Sequence, residues 1–467
     1  MVFSSISFLY FFLPLVLILY FLIPFKYKNL SLFFISLAFY FYGEPKYVIL
    51  MLVTICSSYI NGLFIEKYRE TIFKKVFLII DIIVSIGLLG FFKYSDFLIM
   101  NANTFLGANM ALLRVALPIG ISFYTFQTLS YSIDVYLGKI KAQKNFITLG
   151  TYVVLFPQLI AGPIVRYKEI ENELVKRKSD FSSISAGFSR FIIGLAKKVI
   201  LANNFGLLCE IFLNSGDKSV LFYWLFGLSY MLQIYFDFSG YTDMAIGLGK
   251  MFGFTFPENF NYPYIAKSIT EFWRRWHMTL SRWFRDYLYI PLGGSKTTKY
   301  KFLRNIVIVW FLTGLWHGAA WNFVIWGLYF GLILIIEKLF LSKTLENIPK
   351  FFSHLYVLLI VFFSWMIFTA NDLTMIITNF KSLFGFNNLP LSSREMIYYF
   401  RSYLVVLIIG IVAATPLLRS FVLKLKENKK ISRIINVLEP IYLVVLLMIV
   451  TAYLIDSSFN PFIYFRF

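Results

Sequence analysis

The sequence predicts an all-α membrane protein, a polytopic bundle of about 11–12 transmembrane helices. Of its 467 residues, 59% are hydrophobic and only 15% are charged, whereas soluble domains carry about 25% charged residues. The mean hydropathy is +0.72. A soluble chain of this length could not bury that much apolar surface. The composition therefore excludes a soluble globular enzyme, a disordered chain and a small disulfide-stabilised scaffold.

Apolar segments of about the length that crosses a bilayer recur along the chain. They cover residues 6–24, 29–42, 46–65, 76–92, 115–137, 186–212, 219–236, 303–337, 355–371, 402–422 and 436–455, and 303–337 is long enough for two helices. No repeat with a period of about 20–50 residues is apparent, and no Ser/Gly-rich linker divides the chain. We therefore expect one membrane domain over residues 1–467, with a basic cytoplasmic helical segment at about 253–300.

The chain is strongly basic, with 44 Lys and Arg against 24 Asp and Glu and a net charge of +20. In a soluble protein this balance would suggest nucleic acid. Here the cations lie in the loops between apolar segments, and the positive-inside rule assigns such loops to the cytoplasm. We therefore expect contact with membrane lipids and not with nucleic acid. The first apolar run has no basic residues before it, which indicates a retained helix and not a signal peptide.

Placing every basic loop in the cytoplasm requires two segments to turn back within the membrane. Segment 146–164 contains Pro157, Gly162 and Pro163, which interrupt helices. Segment 303–337 must turn near residues 314–322. Irregular backbone at membrane depth is tolerated only where it is buried in protein or lines a watery cavity. We therefore expect re-entrant or broken helices around a central tunnel.

The histidines are the first candidates for proton transfer, because an unperturbed His titrates near neutral pH. The three histidines are His277, His317 and His354. His317 lies in an apolar and aromatic stretch, and Gly314 and Gly318 leave one helix face bare for close approach of another backbone or a ligand. Desolvation favours the neutral imidazole that a general base needs. A histidine bonded between helices is the structural alternative, and we assign His354 no role.

A second polar region, Glu271–Asp286, has the pattern of an amphipathic helix around His277. Its arginines are Arg274, Arg275, Arg282 and Arg285. One interpretation is an interfacial helix with Arg and Trp at headgroup level. The other is that the arginines bind a phosphate-bearing donor. We also expect Asp237 and Asp243, at the end of the preceding apolar run, to pair with this arginine-rich segment.

Several motifs are absent from the sequence. The two cysteines, Cys56 and Cys209, lie in apolar runs and indicate neither a disulfide framework nor a metal site. There is no phosphate-binding G-x-x-x-x-G-K-[ST] loop, no G-x-S-x-G elbow and no His/Cys cluster with metal-ligand spacing. At this level the residues do not separate an acyltransferase from a transporter.

Several long strings resemble those of one family. They include Leu117–Gln127 (LPIGISFYTFQ), Phe156–Ile164 (FPQLIAGPI), Tyr235–Ala245 (YFDFSGYTDMA), Phe272–Ser281 (FWRRWHMTLS), Tyr289–Gly294 (YIPLGG) and Trp316–Gly318 (WHG). On these strings the chain resembles, almost end to end, the membrane-bound O-acyltransferase family in its bacterial branch of alginate O-acetyltransferase membrane subunits. It departs at Phe368–Ala370, which reads Phe-Thr-Ala where relatives often have Phe-Arg-Ala. That departure bears on partner identity and not on the catalytic centre.

The resemblance implies acyl transfer with His317 as the catalytic base and His277 as the second polar position of the family. It implies acetyl-CoA as a cytoplasmic donor, no bound cofactor or metal, and delivery to an extracytoplasmic hydrolase-like partner. That partner would modify an alginate-like exopolysaccharide or peptidoglycan outside the bacterial cytoplasmic membrane. The placement of the CoA phosphates near the four arginines is our own hypothesis. The alternatives are a transporter or flippase for a polysaccharide or lipid intermediate, and a structural assembly protein.

Overall fold

The computed structural model describes residues 2–160 and 162–456, which form helices and connecting loops without a β-strand. Ala161, inside one of the segments predicted to turn back, and residues 457–467 lie outside the described part. The predicted all-α class is confirmed. Seven helical stretches of the described residues are long and apolar enough to cross a membrane: Val48–Lys67, Phe73–Leu106, Phe181–Asn214, Trp321–Asn347, Lys350–Phe368, Arg394–Ala413 and Lys429–Asp456. The chain is thus a multi-pass membrane protein, while the larger number of spans and the central tunnel stay predictions.

The chain forms two compact units. The first contains the residues up to Phe191 together with Met244–Pro257. Its helices are α1 (Leu13–Leu22), α2 (Lys28–Gly43), α3 (Val48–Lys67), α4 (Phe73–Leu106), α5 (Ile121–Tyr136), α6 (Phe146–Val154), α7 (Phe156–Leu159), α8 (Tyr167–Val175) and most of α9 (Phe181–Ala196). The predicted interruption in segment 146–164 is confirmed, because Leu155 leaves the helical conformation between α6 and α7. Its re-entry from one side of a bilayer stays a prediction.

A buried carboxylate joins three helices of the first unit. Asp81 on α4 is inaccessible to solvent. It accepts hydrogen bonds from Ser57 at 2.8 Å, Ser58 at 3.1 Å and Ser132 at 2.6 Å. Polar side chains between membrane helices commonly hold them together in this way. The cluster links α3, α4 and α5.

The second unit contains Ile192–Asp243 and the residues from Glu258 onwards. Its helices are α10 (Asn203–Asn214), most of α11 (Val220–Met251), α12 (Ile269–Arg275), α13 (Met278–Phe284), α14 (Lys299–His317), α15 (Trp321–Ile336), α16 (Ser342–Asn347), α17 (Lys350–Phe368), α18 (Leu373–Leu383), α19 (Arg394–Ala413), α20 (Leu417–Lys426) and α21 (Lys429–Asp456). A core of Trp, Phe and Tyr side chains from α11, α12, α15 and α17 fills this unit.

Helices α14 and α15 form the hairpin predicted within residues 303–337, and the chain turns between His317 and Trp321. The two backbones approach too closely for side chains at two glycines. A Cβ atom at Gly314 would meet the carbonyl oxygen of Phe323, and one at Gly327 would meet that of Trp310. Glycine is therefore required at this crossing, which fixes the end of α14 against α15.

The single amphipathic helix predicted over Glu271–Asp286 is wrong. Helix α12 ends at Arg275, and α13 begins at Met278. Between them His277 has φ 41° and ψ 53°, in the left-handed region that non-glycine residues rarely adopt. The heptad-like spacing of Trp and Arg continues through the break, so the periodicity gave no sign of it.

Candidate active site

His317 is the last residue of α14 and is only 3% exposed. Aromatic rings surround it. Its ring centre lies 5.0 Å from that of Trp316, 4.8 Å from that of Trp326 and 5.6 Å from that of Phe368, each ring being steeply inclined to the imidazole. Asn322 donates a hydrogen bond to the carbonyl of Phe368 at 3.2 Å, which ties the hairpin to the end of α17. The result is a cage of low polarity around a titratable side chain.

His277 occupies the break between α12 and α13 and is fully buried. Its Nδ1 lies 3.1 Å from Oδ1 of Asn259. The ring of Phe238 stands perpendicular to it at 4.7 Å between centres. Hydrogen bonding on one edge and aromatic packing on a face hold this imidazole in one orientation.

The fold brings the two histidines to the same indole. The ring of Trp316 lies 5.0 Å from that of His317 and 5.9 Å from that of His277. His277 lies outside the seven candidate spans. Burial, with a smaller contribution from neighbouring His317, holds the pKa of His277 well below its ordinary value of 6.5. A neutral His277 therefore stands beside a second buried imidazole, a pair suited to accepting protons from a substrate.

The four arginines predicted to bind phosphate do not form one cluster. Arg275 is engaged in an ion pair with Glu271 at 2.8 Å. Arg285 is exposed and pairs with Asp286 at 2.7 Å. Arg274 is exposed on α12, and Arg282 is half-buried on α13. Exposed guanidinium groups thus lie on both sides of the break at His277.

Arg285 and Arg274 border different cavities of the second unit. Arg285 lies at a cavity of about 220 Å³ whose walls are largely apolar, and this cavity reaches Thr313, one helical turn before His317. Arg274 lies at a more polar cavity of about 540 Å³ that is also lined by Lys267, Lys338 and Lys350. The smaller cavity connects a cation with the helix that ends at His317.

Two further sequence predictions concern charged and polar groups around this region. Asp237 forms a buried ion pair with Lys198 at 2.6 Å, and Asp243 pairs with Lys197 at 2.7 Å. Pairing was expected, but the cations come from the π-helical turn Lys197–Ala202 and not from the arginine-rich segment. His354, which was given no role, approaches the carbonyl of Ala266 at 3.2 Å.

Three residues that hold the histidines could not be predicted from the sequence: Asn259, Trp326 and Phe368. Asn259 is one polar residue in a Pro-punctuated loop, and the two aromatic residues lie in helices already rich in Trp and Phe. No spacing rule singles them out. Among the described residues, no group of three or more His, Cys, Asp or Glu side chains is arranged to hold a metal ion.

Comparison with known proteins identifies the chain. Residues 138–378 match the model of the membrane-bound O-acyltransferase family. The chain is 39% identical over 427 residues to a probable alginate O-acetylase AlgI of Azotobacter vinelandii, covering 88% of this chain and 85% of that protein. It is 40% identical over 397 residues to a probable alginate O-acetylase AlgI of Pseudomonas aeruginosa, covering 84% of this chain and 76% of that protein. It is 35% identical over 427 residues to a peptidoglycan O-acetyltransferase of Helicobacter pylori, covering 84% of this chain and 81% of that protein. The chain therefore belongs to the membrane-bound O-acyltransferase family, and it is an O-acetyltransferase.

Proposed function

We propose that this O-acetyltransferase takes acetyl groups from acetyl-CoA on the cytoplasmic side of a bacterial inner membrane and passes them toward an extracytoplasmic polysaccharide. The acceptor is an alginate-like exopolysaccharide or peptidoglycan, reached through a partner transferase outside the membrane. Relatives named for the acetylation of these two polymers support the acceptor class. The observation that carries the chemistry is the pair of buried histidines that both contact Trp316.

His317 is the general base in this proposal. Its neutral ring takes the proton from an acceptor hydroxyl while the hydroxyl oxygen attacks the thioester carbonyl carbon. The carbon–sulfur bond then breaks, an oxygen ester forms, and the proton returns from His317 to the departing thiolate of CoA. The aromatic rings of Trp326 and Phe368 exclude water, which would otherwise compete as the acceptor.

The donor enters beside Arg285 in this proposal. The cavity of about 220 Å³ has apolar walls that include Trp273, Leu280 and Phe284, and it reaches Thr313. Such walls suit the neutral arm of a thioester, while arginines at the surface suit its phosphates. Arg274 borders the larger cavity, where three lysines and three glutamates also line the walls. Arg275 and Arg282 were predicted for the same role. Arg275 pairs with Glu271, and Arg285 pairs with Asp286 but is the more exposed of the two.

The test is the amount of alkali-releasable acetate on the cell-surface polymer. Cells carry wild type, His317→Ala, His317→Gln, or no copy of the protein, with the variants compared at equal membrane abundance. His354→Ala is the matched control, because His354 is a partly buried histidine that contacts the backbone carbonyl of Ala266. We expect both His317 variants to fall to the level of cells without the protein, and His354→Ala to resemble wild type.

Export of the polymer distinguishes this proposal from transport. If His317→Ala abolishes acetylation while polymer still reaches the surface, the protein is not the exporter. Unchanged acetate with failed export would overturn the proposal in favour of a transporter or flippase. If His317→Ala changes neither the acetylation nor the export of the polymer at normal abundance, His317 has a structural role.

A further inference from the structure

Asn259 makes an unusual number of hydrogen bonds around the break between α12 and α13. Its backbone oxygen accepts from the amide of Met278 at 2.9 Å. Its side-chain Oδ1 accepts from the amide of Thr279 at 3.1 Å and from the Thr279 hydroxyl at 2.9 Å. The same Oδ1 faces Nδ1 of His277 at 3.1 Å. Asn259 is itself fully buried, so these groups form a closed polar clamp within an aromatic core.

The chemistry of this clamp decides which nitrogen of His277 carries the proton. A backbone amide can only donate, so the Asn259 atom that faces the Thr279 amide must be the carbonyl oxygen. A carbonyl oxygen can only accept, so Nδ1 of His277 must carry the hydrogen that points to it. A neutral imidazole has one protonated nitrogen. Nε2 of His277 therefore presents a lone pair.

That lone pair is buried and unused by the protein. Nε2 of His277 has no hydrogen-bond partner within residues 2–160 and 162–456. A buried acceptor without a partner costs about 1–3 kcal/mol, so its retention points to a ligand. Because Nε2 carries no hydrogen, it cannot stabilise a developing oxyanion; it accepts from an N–H or O–H group.

We propose that Asn259 is a positioning residue, which fixes His277 as the Nδ1–H tautomer so that Nε2 accepts a hydrogen bond from a substrate N–H or O–H group. The substrate part of this inference rests on the proposed function; the tautomer does not. The donor group is an amide of the CoA arm or a second hydroxyl of the acceptor, because the hydrogen of the attacking hydroxyl goes to His317. Asn259 also explains how His277 is held in the left-handed conformation, which costs about 1–3 kcal/mol without surrounding support.

The first test is nitrogen NMR of the full-length protein in nanodiscs after labelling with 15N-histidine. The chain has three histidines, so the spectrum is simple, and His277→Gln identifies the signals of His277. We expect wild type at pH 7.5 to show a protonated Nδ1 and an unprotonated Nε2. A protonated Nε2 with a bare Nδ1 would overturn the proposal, and this result needs no variant of Asn259 to fold.

The second test uses variants of Asn259. Asn259→Leu removes the acceptor, and we expect His277 then to populate the Nε2–H tautomer as well as the Nδ1–H tautomer. Asn259→Asp keeps the oxygen but places a negative charge against Nδ1, which should favour the doubly protonated ring. The matched control is Asn261→Asp, two residues along the same loop, where the side chain is exposed and the recorded contacts are those of the backbone. We expect its His277 signals to match wild type.

Rates of acetyl transfer then identify the substrate group that donates a hydrogen bond to Nε2 of His277. We expect Asn259→Leu and Asn259→Asp to lower transfer roughly 10–100-fold, by analogy with the loss of a group that orients a metal-bound histidine. A rise in KM for acetyl-CoA indicates the amide of the CoA arm; a fall in kcat at saturating acetyl-CoA indicates the second hydroxyl of the acceptor. Normal transfer in both folded variants would overturn the positioning role. If the tautomer is as expected but wild type transfers no acetyl group, the proposed function fails and the tautomer assignment stands.

Discussion

His277 and His317 contact the same indole, that of Trp316, but the protein holds them by different means. His277 sits in a left-handed break and is fixed through Nδ1 by a clamp centred on Asn259. His317 ends a regular helix and is surrounded by the rings of Trp326 and Phe368. A hydrogen bond chooses one tautomer, whereas ring packing restricts position and excludes water. We infer that His277 is built to present one fixed acceptor and His317 to gain and return a proton.

The largest effect should come from removing the proton-transferring histidine. We expect His317→Gln to lower acetyl transfer by roughly 10²–10⁴-fold, the usual contribution of a general base. His277→Gln should cost less, because its amide can still offer an acceptor. In the double variant the His277 change should add little, since residues that act as a unit are not additive. Initial rates with purified protein and labelled acetyl-CoA measure all three.

The double variant can also contradict this division of roles. Independent, fully multiplicative losses would mean that the two histidines act at separate steps. A larger loss for His277→Gln than for His317→Gln would exchange their roles. His354→Gln, on α17, provides the level expected when a partly buried histidine outside the pair is replaced.

The sequence was informative for the helix that carries His317 and uninformative for the loop that carries His277. Long apolar runs predicted the spans. Gly314 and Gly318 predicted close approach of another backbone, which the contact of Gly314 with Phe323 confirms. Both signals are local in sequence. The clamp is not local, because Asn259 reaches His277 across 18 residues and a Pro-rich loop. Amphipathic spacing predicted one helix there, whereas buried hydrogen bonds to Asn259 stabilise a break.

The same contrast applies to charge. The sequence predicted that Asp237 would be paired, because a buried carboxylate needs a cation. It could not predict Lys198 as the partner, since the two residues lie on different helical segments and meet only in the folded chain. The arginines near His277 were grouped by their place in the sequence. The break at His277 separates Arg285 from Arg274 and places them at different cavities.

The second effect tests the hairpin that holds His317. Gly314→Ala places a methyl group against the carbonyl oxygen of Phe323. We expect a loss of about 1–3 kcal/mol of stability from this overpacking, and a fall in acetyl transfer because His317 lies one turn further along α14. Gly87→Ala is the control, because that glycine is also helical but no atom lies within 4 Å of its added Cβ. Thermal unfolding in detergent measures both.

Gly87→Ala should leave the midpoint unchanged or raise it slightly, since alanine favours a helix by up to about 1 kcal/mol over glycine. If Gly314→Ala and Gly87→Ala change the unfolding midpoint equally, α14 and α15 can move apart to admit the methyl group without loss of stability. Loss of transfer in Gly314→Ala with normal stability would instead show that the hairpin serves to aim His317. Either result sharpens the contrast with the hydrogen-bonded loop.

The smallest effect comes from the clamp and depends on pH. The pKa of His277 is lowered in the folded protein by burial and by neighbouring His317, while an unfolded histidine titrates near about 6.5. As the pH falls below about 6.5, the unfolded state takes up a proton that the folded state does not. Stability therefore falls with acidification in this window, by at most about 1.4 kcal/mol per pH unit for one group. Above about 6.5 His277 is neutral in both states and contributes no pH dependence.

His277→Gln isolates this contribution, because glutamine does not titrate. We expect the unfolding midpoint of wild type to decrease more steeply than that of His277→Gln between pH 6.5 and pH 5, and the two to run parallel above pH 7. For Asn259→Asp we expect the unfolding midpoint to decrease less steeply with acidification than that of wild type, because the carboxylate favours the charged imidazole. Parallel curves for wild type and His277→Gln would mean that His277 has the same pKa in the folded and unfolded states. Burial would then not keep the ring unprotonated between pH 6.5 and pH 5. The pH dependence of stability thus tests whether His277 stays neutral in the folded protein, which a free lone pair on one of its nitrogens requires.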